Sequence, residues 1–351
     1  MKTARREYPD LLTPSQIYDH LDKFVIGQER AKRIVAIAAY NHQKRVLHKK
    51  AGQPNPIKKA NILLIGPTGC GKTHIARNLA TVLNLPFTVV DATEYTEAGY
   101  YGKDVEVMVA ELLFKTGGHT EQTQRGIIFI DEIDKIARRT HGARTGAGSR
   151  DIGGEGVQQA LLKLLEGSEV FVPLNVTQHW SKHDFVLVDT SEILFICAGT
   201  FSDMPLIQHE SRPVGFRDKR VSDKHNKRRR VTTKDLLEYG MLAEFLGRLP
   251  VVVELDALTA DDMIRILKEP PDSILKEYSQ LLSLDDIELR FTDTALKLMI
   301  EHAMKTNLGA RGLRSIIEEV MHDIMFDAPN SRGRKVTIDK RFVASRLARL
   351  E

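Results

Sequence analysis

The chain has 351 residues, of which 42% are hydrophobic and 28% are charged, and its net charge is +4. Its length predicts about two domains, and its composition is that of a globular protein with a sizeable core. The small net charge does not indicate a nucleic-acid partner, and no apolar run approaches the roughly 18 residues of a membrane span. Two cysteines cannot form a four-ligand zinc site, so zinc is not expected. The N-terminus has no signal-peptide pattern, and we expect a cytoplasmic protein, or one of an organelle matrix.

The first predicted elements are two helices. Helical spacing of apolar residues extends from Pro14 to Lys49, and the segment VIGQ (25–28) interrupts it. A polar, proline-bearing linker occupies residues 49–59. Five short apolar runs, separated by helical stretches, follow at residues 61–65, 87–91, 126–131, 193–199 and 249–255. Continuous apolar runs that alternate with helices predict a parallel sheet covered on both faces.

The pattern changes beyond Glu254. Amphipathic helices are predicted at 261–282, 294–304 and 312–326, with strand-like segments at 287–291 and 335–339. We therefore expect an α/β fold with a large domain at 1–254 and a smaller, mainly helical α+β domain at 255–351. Residues 138–154 and 202–234 are polar and poor in apolar residues, which is typical of loops.

Residues 66–73, GPTGCGKT, match the phosphate-loop pattern G-x-x-x-x-G-K-[ST], with a predicted strand before them and a helix after them. Glycines let consecutive backbone N–H groups converge on a phosphate at the helix N-terminus. Lys72 supplies a charge for the β- and γ-phosphates, and the Thr73 hydroxyl is a ligand for Mg²⁺. The predicted nucleotide-binding residues of the loop are Gly66, Pro67, Thr68, Gly69, Cys70, Gly71, Lys72 and Thr73.

A second motif, GIIFIDEIDK (126–135), ends a hydrophobic strand with two adjacent carboxylates. Ligands bind at the carboxyl ends of strands in open α/β sheets. Asp131 is predicted to hold Mg²⁺, directly or through water, and Glu132 to act as general base toward the attacking water. The alternative is a carboxylate pair that caps the next helix. Together with the phosphate loop, the motif predicts ATP hydrolysis.

Seven segments resemble, in order, the ClpX family of AAA+ unfoldases. They are VIGQERAK, NILLIGPTGCGKT, IIFIDEIDKI, GGEGVQQALLKLLEG, ILFICAGTF, EFLGRLPVV and GARGLRS. The resemblance implies an AAA+ phosphate-loop ATPase domain followed by a small lid domain, assembled as a homo-hexameric ring. It also implies that ATP and Mg²⁺ drive the ring to pull tagged or unfolded proteins through its channel, with the help of adaptors. The threaded proteins are then delivered to a peptidase of the ClpP type.

The resemblance adds residues to the nucleotide site. It places Val25 and Ile26 against adenine, although two buried aliphatic residues also suit a turn between helices. It places Arg248, in GRLP, in the ATP site of the neighbouring subunit. A planar cation there stabilises charge on the transferring phosphoryl group. The alternative is a surface or ion-paired arginine.

Two assignments from the resemblance have competitors. Arg311, in GARGLR, corresponds by motif position to the sensor arginine of the small domain, and Arg314 lies one turn later. Thr200, directly after ILFICAG, is either a polar sensor or a strand-end hydroxyl. The residues alone do not separate these readings.

The segment GYYG (99–102) resembles the first pore loop of the family. The flanking glycines let the loop move, and the face of Tyr100 offers a grip that ignores sequence. Tyr101 stands where a smaller aliphatic residue is expected. Arg150, in SRDIGGEG, resembles a second pore-loop residue near the channel. The pore-entrance segment is TQHWSKH, of which only Lys182–His183 resembles the family pattern, which leaves tag recognition open.

The tripeptide Val214, Gly215 and Phe216 lies in the long polar segment and resembles the peptidase-docking tripeptide of the family. An exposed Val-Gly-Phe suits an apolar cleft on a partner. The alternative is a hydrophobic pair that anchors the loop.

Three other functions stay open. An HslU-type unfoldase carries a large inserted domain after the motif that corresponds to GIIFIDEIDK, and residues 140–186 are too few to contain it. A nucleic-acid-remodelling ring ATPase finds support in the basic residues 217–230, although one tetrabasic cluster does not predict nucleic-acid binding. A scaffold that binds nucleotide only for assembly is disfavoured by the presence of Lys72 and Glu132.

Overall fold

The computed structural model describes residues 11–50, 58–96, 103–138, 154–173, 185–202, 204, 230–305 and 309–348. The chain divides into two compact units. The first comprises Met1–Pro14, Ile34–Ile65 and Leu79–Glu254, and the second comprises Ser15–Arg33, Gly66–Asn78 and Leu255–Glu351. The phosphate loop and the VIGQ segment thus group with the C-terminal residues. The domain limits 1–254 and 255–351 stay a prediction, because the two units interleave along the chain.

The main sheet of the first unit contains, in its described residues, the strands β1 (Ile62–Ile65), β2 (Phe87–Asp91), β3 (Ile127–Asp131), β6 (Leu194–Gly199) and β7 (Val251–Glu254). Their order is β2-β3-β6-β1-β7, and every neighbouring pair is parallel. All residues of β1 and β6 are buried, as expected for strands covered on both faces. The predicted α/β class is confirmed.

The sheet topology determines which loops meet at one edge. Because β1, β3 and β6 are parallel, their carboxyl ends point to the same edge, with β6 between the other two. At that edge β3 ends at Asp131 and β6 ends at Gly199, while β1 ends at Ile65, one residue before the phosphate loop. Ligand sites in open α/β sheets form at such an edge.

The two helices separated by VIGQ are confirmed, as are the helix after the phosphate loop and the helices predicted at 294–304 and 312–326. In chain order they are α1 (Pro14–Phe24), α2 (Glu29–Lys50), α3 (Lys72–Leu83), α4 (Val107–Lys115), α5 (Thr120–Thr123), α6 (Gly154–Glu166), α7 (Thr233–Tyr239), α8 (Ala243–Gly247), α9 (Ala260–Lys268), α10 (Ile274–Ser283), α11 (Asp293–Lys305), α12 (Ala310–Asp327) and α13 (Lys340–Leu347). Helices α7 and α9 each begin with a reciprocal capping box, Thr232 with Asp235 and Thr259 with Asp262.

An antiparallel strand pair was not predicted. Strand β4 (Glu169–Pro173) pairs with β5 (Phe185–Asp189). Val170, Val172 and Val188 are buried on one face, but Phe171 and Phe185 are exposed on the other. Apolar residues on both faces hide the alternation by which a half-buried strand is recognised.

The second unit has its own hydrophobic core, in which Leu296, Met299 and Ile317 are almost fully buried. Strands β8 (Glu288–Phe291) and β9 (Lys335–Ile338) form a parallel pair beside its helices. The single helix predicted at 261–282 is wrong, because α9 ends at Lys268 and α10 begins at Ile274. Pro270 and Pro271 lie between them, and proline interrupts a helix by removing an N–H donor and clashing with the preceding turn.

Candidate nucleotide site

The phosphate loop has the backbone that its glycines predict. Gly69 (φ +74°) and Gly71 (φ +101°) are left-handed, a conformation that residues with a Cβ rarely adopt. Gly66 is required for space instead, since a Cβ there would lie 2.9 Å from Leu255 Cβ and from its carbonyl oxygen. Helix α3 begins at Lys72, so the N–H groups of its first turn follow directly on the loop. The loop therefore has the geometry of an anion site.

The side chains of the loop have distinct environments. Lys72 is only 8% exposed, and its ammonium donates hydrogen bonds to the carbonyl oxygens of Gly66 (2.7 Å) and Pro67 (3.1 Å). Thr73 follows in the first turn of α3 and is half-buried. Cys70 is buried, and burial raises the pKa of its thiol, so the thiol is protonated at neutral pH and packs as a small apolar group.

The VIGQ turn is held from both sides. Val25 and Ile26 are buried, and the Gln28 side chain exchanges two hydrogen bonds with the backbone of Asp256, at 2.8 and 2.9 Å. His74, next to Thr73 in α3, bonds through Nε2 to the carbonyl oxygen of Phe24 at 3.1 Å. The helix that follows the phosphate loop is therefore tied directly to the residue before Val25.

A buried lysine supports the same turn. Lys32 is completely buried, and its ammonium donates to the Val25 carbonyl (3.2 Å) and to the Glu29 carboxylate (3.0 Å), and also pairs with Asp22. An open cavity of about 360 Å³ borders the turn and is lined by Asp22, Lys23, Val25, Ile26, Gly27, Glu29, Arg265, Glu269 and Pro271. The turn thus combines two buried aliphatic side chains with an adjoining cavity.

The start of α12 contacts the phosphate loop. The Ala310 N–H donates to the Gly69 carbonyl at 3.3 Å, and Gly309 (φ +57°, ψ −141°) leaves no room for a side chain beside Thr68. Arg311 follows and is exposed, and among the described residues its side chain makes no ion pair. Arg314 instead pairs with Glu318 at 3.0 Å and with Glu277 at 3.6 Å. Arg314 is thus engaged in ion pairs and Arg311 is not, among the described residues, and the assignment of Arg311 as the sensor arginine stays a prediction.

The two predicted catalytic carboxylates lie at the end of β3 in the first unit. The Asp131 carboxylate accepts the N–H of Glu132 at 3.0 Å, and Glu132 is exposed with a left-handed backbone (φ +55°, ψ 32°). Asp91 lies beside Asp131 on β2, but its carboxylate accepts both the N–H and the hydroxyl of Thr93. Asp91 therefore caps its own turn, whereas Asp131, among the described residues, makes a single hydrogen bond, to the N–H of the next residue.

Arg248 lies at the end of α8, also in the first unit, and pairs with the Glu166 carboxylate. Both side chains are about half exposed, at 49% and 46%. The Arg248 carbonyl accepts a hydrogen bond from the completely buried Asn61 at 2.9 Å, and Asn61 also donates to Leu165 O at 3.1 Å. The backbone of Arg248 is thus fixed next to the start of β1, while its guanidinium remains at the surface.

The predicted pore and docking residues are outside the described part of the chain. These are Tyr100, Tyr101, Arg150, Val214, Gly215 and Phe216, together with the pore-entrance pair Lys182–His183. Their roles stay predictions.

Several residues whose contacts support the candidate site carried no signal in the sequence. Lys32, His74, Asn61 and Glu166 belong to no recognised pattern of spacing. A lysine and an asparagine at otherwise buried positions were the available signals, because a fully buried polar side chain requires partners.

A parallel sheet with a phosphate loop after β1 and paired carboxylates at the end of β3, with β6 between these two strands, is the arrangement of an AAA-type ATPase domain. Residues 57–252 match the family model "AAA domain (Cdc48 subfamily)", and residues 258–338 match "C-terminal, D2-small domain, of ClpB protein". The part of the chain that the structure describes has no helix of the length and apolarity needed to span a membrane.

Three relatives are similar over nearly the whole chain, and each is named an ATP-dependent Clp protease ATP-binding subunit. ClpX 2 of Wolinella succinogenes is 45% identical over 94% of this chain and 81% of its own length. ClpX of Treponema denticola is 41% identical over 95% and 81%, and ClpX of Porphyromonas gingivalis is 42% identical over 99% and 85%. The chain belongs to the ClpX family of AAA+ ATPases.

Proposed function

We propose that this protein is an ATP-driven unfoldase that pulls protein substrates through the central channel of a homo-hexameric ring. The observation that carries the proposal is the conjunction, in one chain of the ClpX family, of a phosphate loop shaped for anion binding and a carboxylate pair at the end of β3. The hydrolysis of ATP supplies the energy, and the threaded polypeptide is the object that moves.

ATP binds to the phosphate loop, with Lys72 leaving its two carbonyl partners to neutralise the phosphates. Oxygen donors suit Mg²⁺, and we assign the Thr73 hydroxyl and the Asp131 carboxylate as its protein ligands. The ion, when bound, neutralises charge on the β- and γ-phosphates. Glu132 accepts a proton from the attacking water, while Val25 and Ile26 contact the adenine and Arg311 a phosphate. Within the described residues, no group of three or more His, Cys, Asp or Glu side chains is arranged to hold a metal ion without such a substrate.

Arg248 acts on the ATP of the neighbouring subunit. Its exposed guanidinium supports this role, because an arginine that serves another subunit must lie at the surface. The carboxylate of Glu166 holds it only weakly, since exposed ion pairs contribute about 0–1 kcal/mol. Arg248 therefore leaves Glu166 at little cost when a neighbour presents its nucleotide.

A mixed-ring experiment tests this arrangement. The variant Glu132→Gln is expected to bind ATP without hydrolysing it, and Arg248→Ala to be inactive as a homo-oligomer. In rings that contain both variants, an Arg248→Ala subunit has an intact base and receives Arg248 from its Glu132→Gln neighbour, so hydrolysis returns. Inactivity of every mixture, despite confirmed mixed assembly, would contradict action between subunits.

Tyr100 and Tyr101 grip the threaded chain, Arg150 lies along its path, and Val214, Gly215 and Phe216 dock the ring to a ClpP-type peptidase in the cytoplasm. Two assays separate these steps. ATP-dependent loss of fluorescence from a tagged, stably folded reporter measures unfolding alone. Co-sedimentation with a peptidase ring measures docking, which Phe216→Ala is expected to abolish while unfolding persists. ATP hydrolysis without unfolding, across several tags, would refute the proposal.

A further inference from the structure

One buried carboxylate joins the ends of two neighbouring strands in the first unit. Asp134 lies in the 3₁₀ turn Ile133–Ile136 that follows β3, and it is only 4% exposed. Its carboxylate accepts the Thr200 hydroxyl (2.9 Å), the Thr200 N–H (3.2 Å) and the Phe201 N–H (3.3 Å). Thr200 and Phe201 follow directly on β6. Because burial removes water from the carboxylate, these three donors take the place of its hydration.

Both turns that Asp134 connects have a residue in an unfavourable conformation. Glu132 (φ +55°) and Phe201 (φ +49°) have left-handed backbones, although neither is glycine. Residues with a Cβ keep that conformation only where surrounding contacts impose it. At Glu132 those contacts are its N–H to Asp131 and its carbonyl to the Lys135 N–H at 2.9 Å. The turn that supplies Lys135 is the one that Asp134 ties to β6.

The fit between Asp134 and β6 is close. A Cβ on Gly199, the last residue of β6, would lie 2.7 Å from Asp134 Oδ1 and 2.7 Å from Phe201 Cε2. No larger residue can occupy this position without displacing the carboxylate or the ring. The carboxylate is therefore held against the backbone of the strand that lies between β3 and β1.

Thr200 has already used its one hydroxyl proton. A threonine hydroxyl donates a single hydrogen bond, and Thr200 donates it to Asp134. Toward a phosphate oxygen, which only accepts, the same hydroxyl then has no proton to offer. This arrangement disfavours Thr200 as a direct sensor of nucleotide.

We propose that Asp134, with Thr200 as its partner, is a positioning residue that holds Glu132 in the left-handed conformation required of the general base. The proposal rests on the proposed role of Glu132 in hydrolysis. Thr200 acts through Asp134, and the pair links the end of β6 to the turn that follows Glu132. Neither residue touches the reacting atoms.

The test is the variant Asp134→Asn, which preserves the shape of the side chain but replaces one acceptor oxygen by a donor. We expect kcat for ATP hydrolysis to fall about 30- to 100-fold, while the Kd for ATP stays within about threefold, since Asp134 belongs to neither the phosphate loop nor the VIGQ turn. The matched control is Asp235→Asn, which removes another carboxylate that is 4% exposed and belongs to the capping box of α7. It is expected to lower the melting temperature without lowering kcat of the folded protein.

Thr200 provides a milder pair of variants, in case Asp134→Asn fails to fold. Thr200→Val removes the hydroxyl and is expected to lower kcat about three- to tenfold, and Thr200→Ser, which keeps it, restores kcat. Equal activity of the valine and serine variants, or a wild-type kcat in folded Asp134→Asn, would overturn the inference. Glu132→Gln is measured in parallel: if it hydrolyses ATP at the wild-type rate, the proposed function fails. An inactive Glu132→Gln beside a fully active Asp134→Asn rejects only the positioning role.

Discussion

Gly309 is the residue through which the start of α12 meets the phosphate loop, and replacing it by alanine tests that contact. The backbone of Gly309 (φ +57°, ψ −141°) lies in a region that is nearly restricted to glycine. A Cβ there would lie 2.9 Å from the Thr68 carbonyl oxygen and 3.1 Å from Gly69 Cα. The variant Gly309→Ala must therefore change its own backbone, displace the phosphate loop, or both.

Two separate energetic costs determine how much Gly309→Ala destabilises the protein. A left-handed backbone costs a residue with a Cβ about 1–2 kcal/mol, and close contacts with a packed neighbour cost typically about 1–3 kcal/mol. The total for Gly309→Ala is then about 2–5 kcal/mol. If this cost destabilises the ATP-bound conformation of the loop by about 2 kcal/mol relative to the free one, the Kd for ATP rises about 30-fold.

The assay is titration with ATP under non-hydrolysing conditions, together with thermal unfolding. Gly333→Ala is the matched control, because Gly333 (φ +76°) is also left-handed but a Cβ there would meet nothing within 4 Å. It is expected to reduce stability by about 1–2 kcal/mol and to leave the Kd for ATP unchanged. Should Gly309→Ala lower stability as the control does while binding ATP with the wild-type Kd, the coupling of α12 to the phosphate loop is refuted.

The contacts of Lys32 and of Glu166 give two further predictions: the loss of the first is expected to be costly, and the loss of the second is not. Lys32→Met is expected to lower the free energy of unfolding by about 1–3 kcal/mol and to weaken ATP binding, because the Val25 carbonyl loses a charged donor. Denaturant unfolding measures the first effect, and titration with ATP measures the second. The control is Lys268→Met, at an exposed ion pair, which should change the free energy of unfolding by less than about 0.5 kcal/mol. A Lys32→Met variant as stable as the control would contradict this. Glu166→Gln is expected to keep the ATPase rate of the assembled protein within about fivefold of wild type, since an exposed pair contributes at most about 1 kcal/mol. A loss as deep as that of Arg248→Ala would show instead that Glu166 takes part in hydrolysis.

The candidate nucleotide-site residues could be proposed from the sequence because their spacing is local. Lys72 and Thr73 follow from an eight-residue pattern, and Asp131 and Glu132 from a strand that ends in acids. Buried apolar runs gave the five parallel strands for the same reason, since each run contains its own signal. The roles of these four residues remain predictions, whereas the strands are observed.

The supporting contacts were not predictable because they join distant parts of the chain. Asp134 and Thr200 are separated by 66 residues, and Arg248 and Glu166 by 82. Nothing in the local sequence around Thr200 distinguishes a hydroxyl that bonds a carboxylate from one that contacts nucleotide. The proline pair at 270–271 was a local signal that helical periodicity obscured, because the residues on either side share one amphipathic pattern.

In the proposed mechanism, hydrolysis of ATP drives aromatic side chains to pull a polypeptide. Its most direct test is the double variant Tyr100→Ala/Tyr101→Ala, assayed at once for ATP hydrolysis and for unfolding of a tagged fluorescent reporter. We expect the variant to hydrolyse ATP at a rate near wild type but to unfold the reporter at least tenfold more slowly, because the ring hydrolyses ATP without holding the substrate. Undiminished unfolding by the double variant would contradict the proposed mechanism.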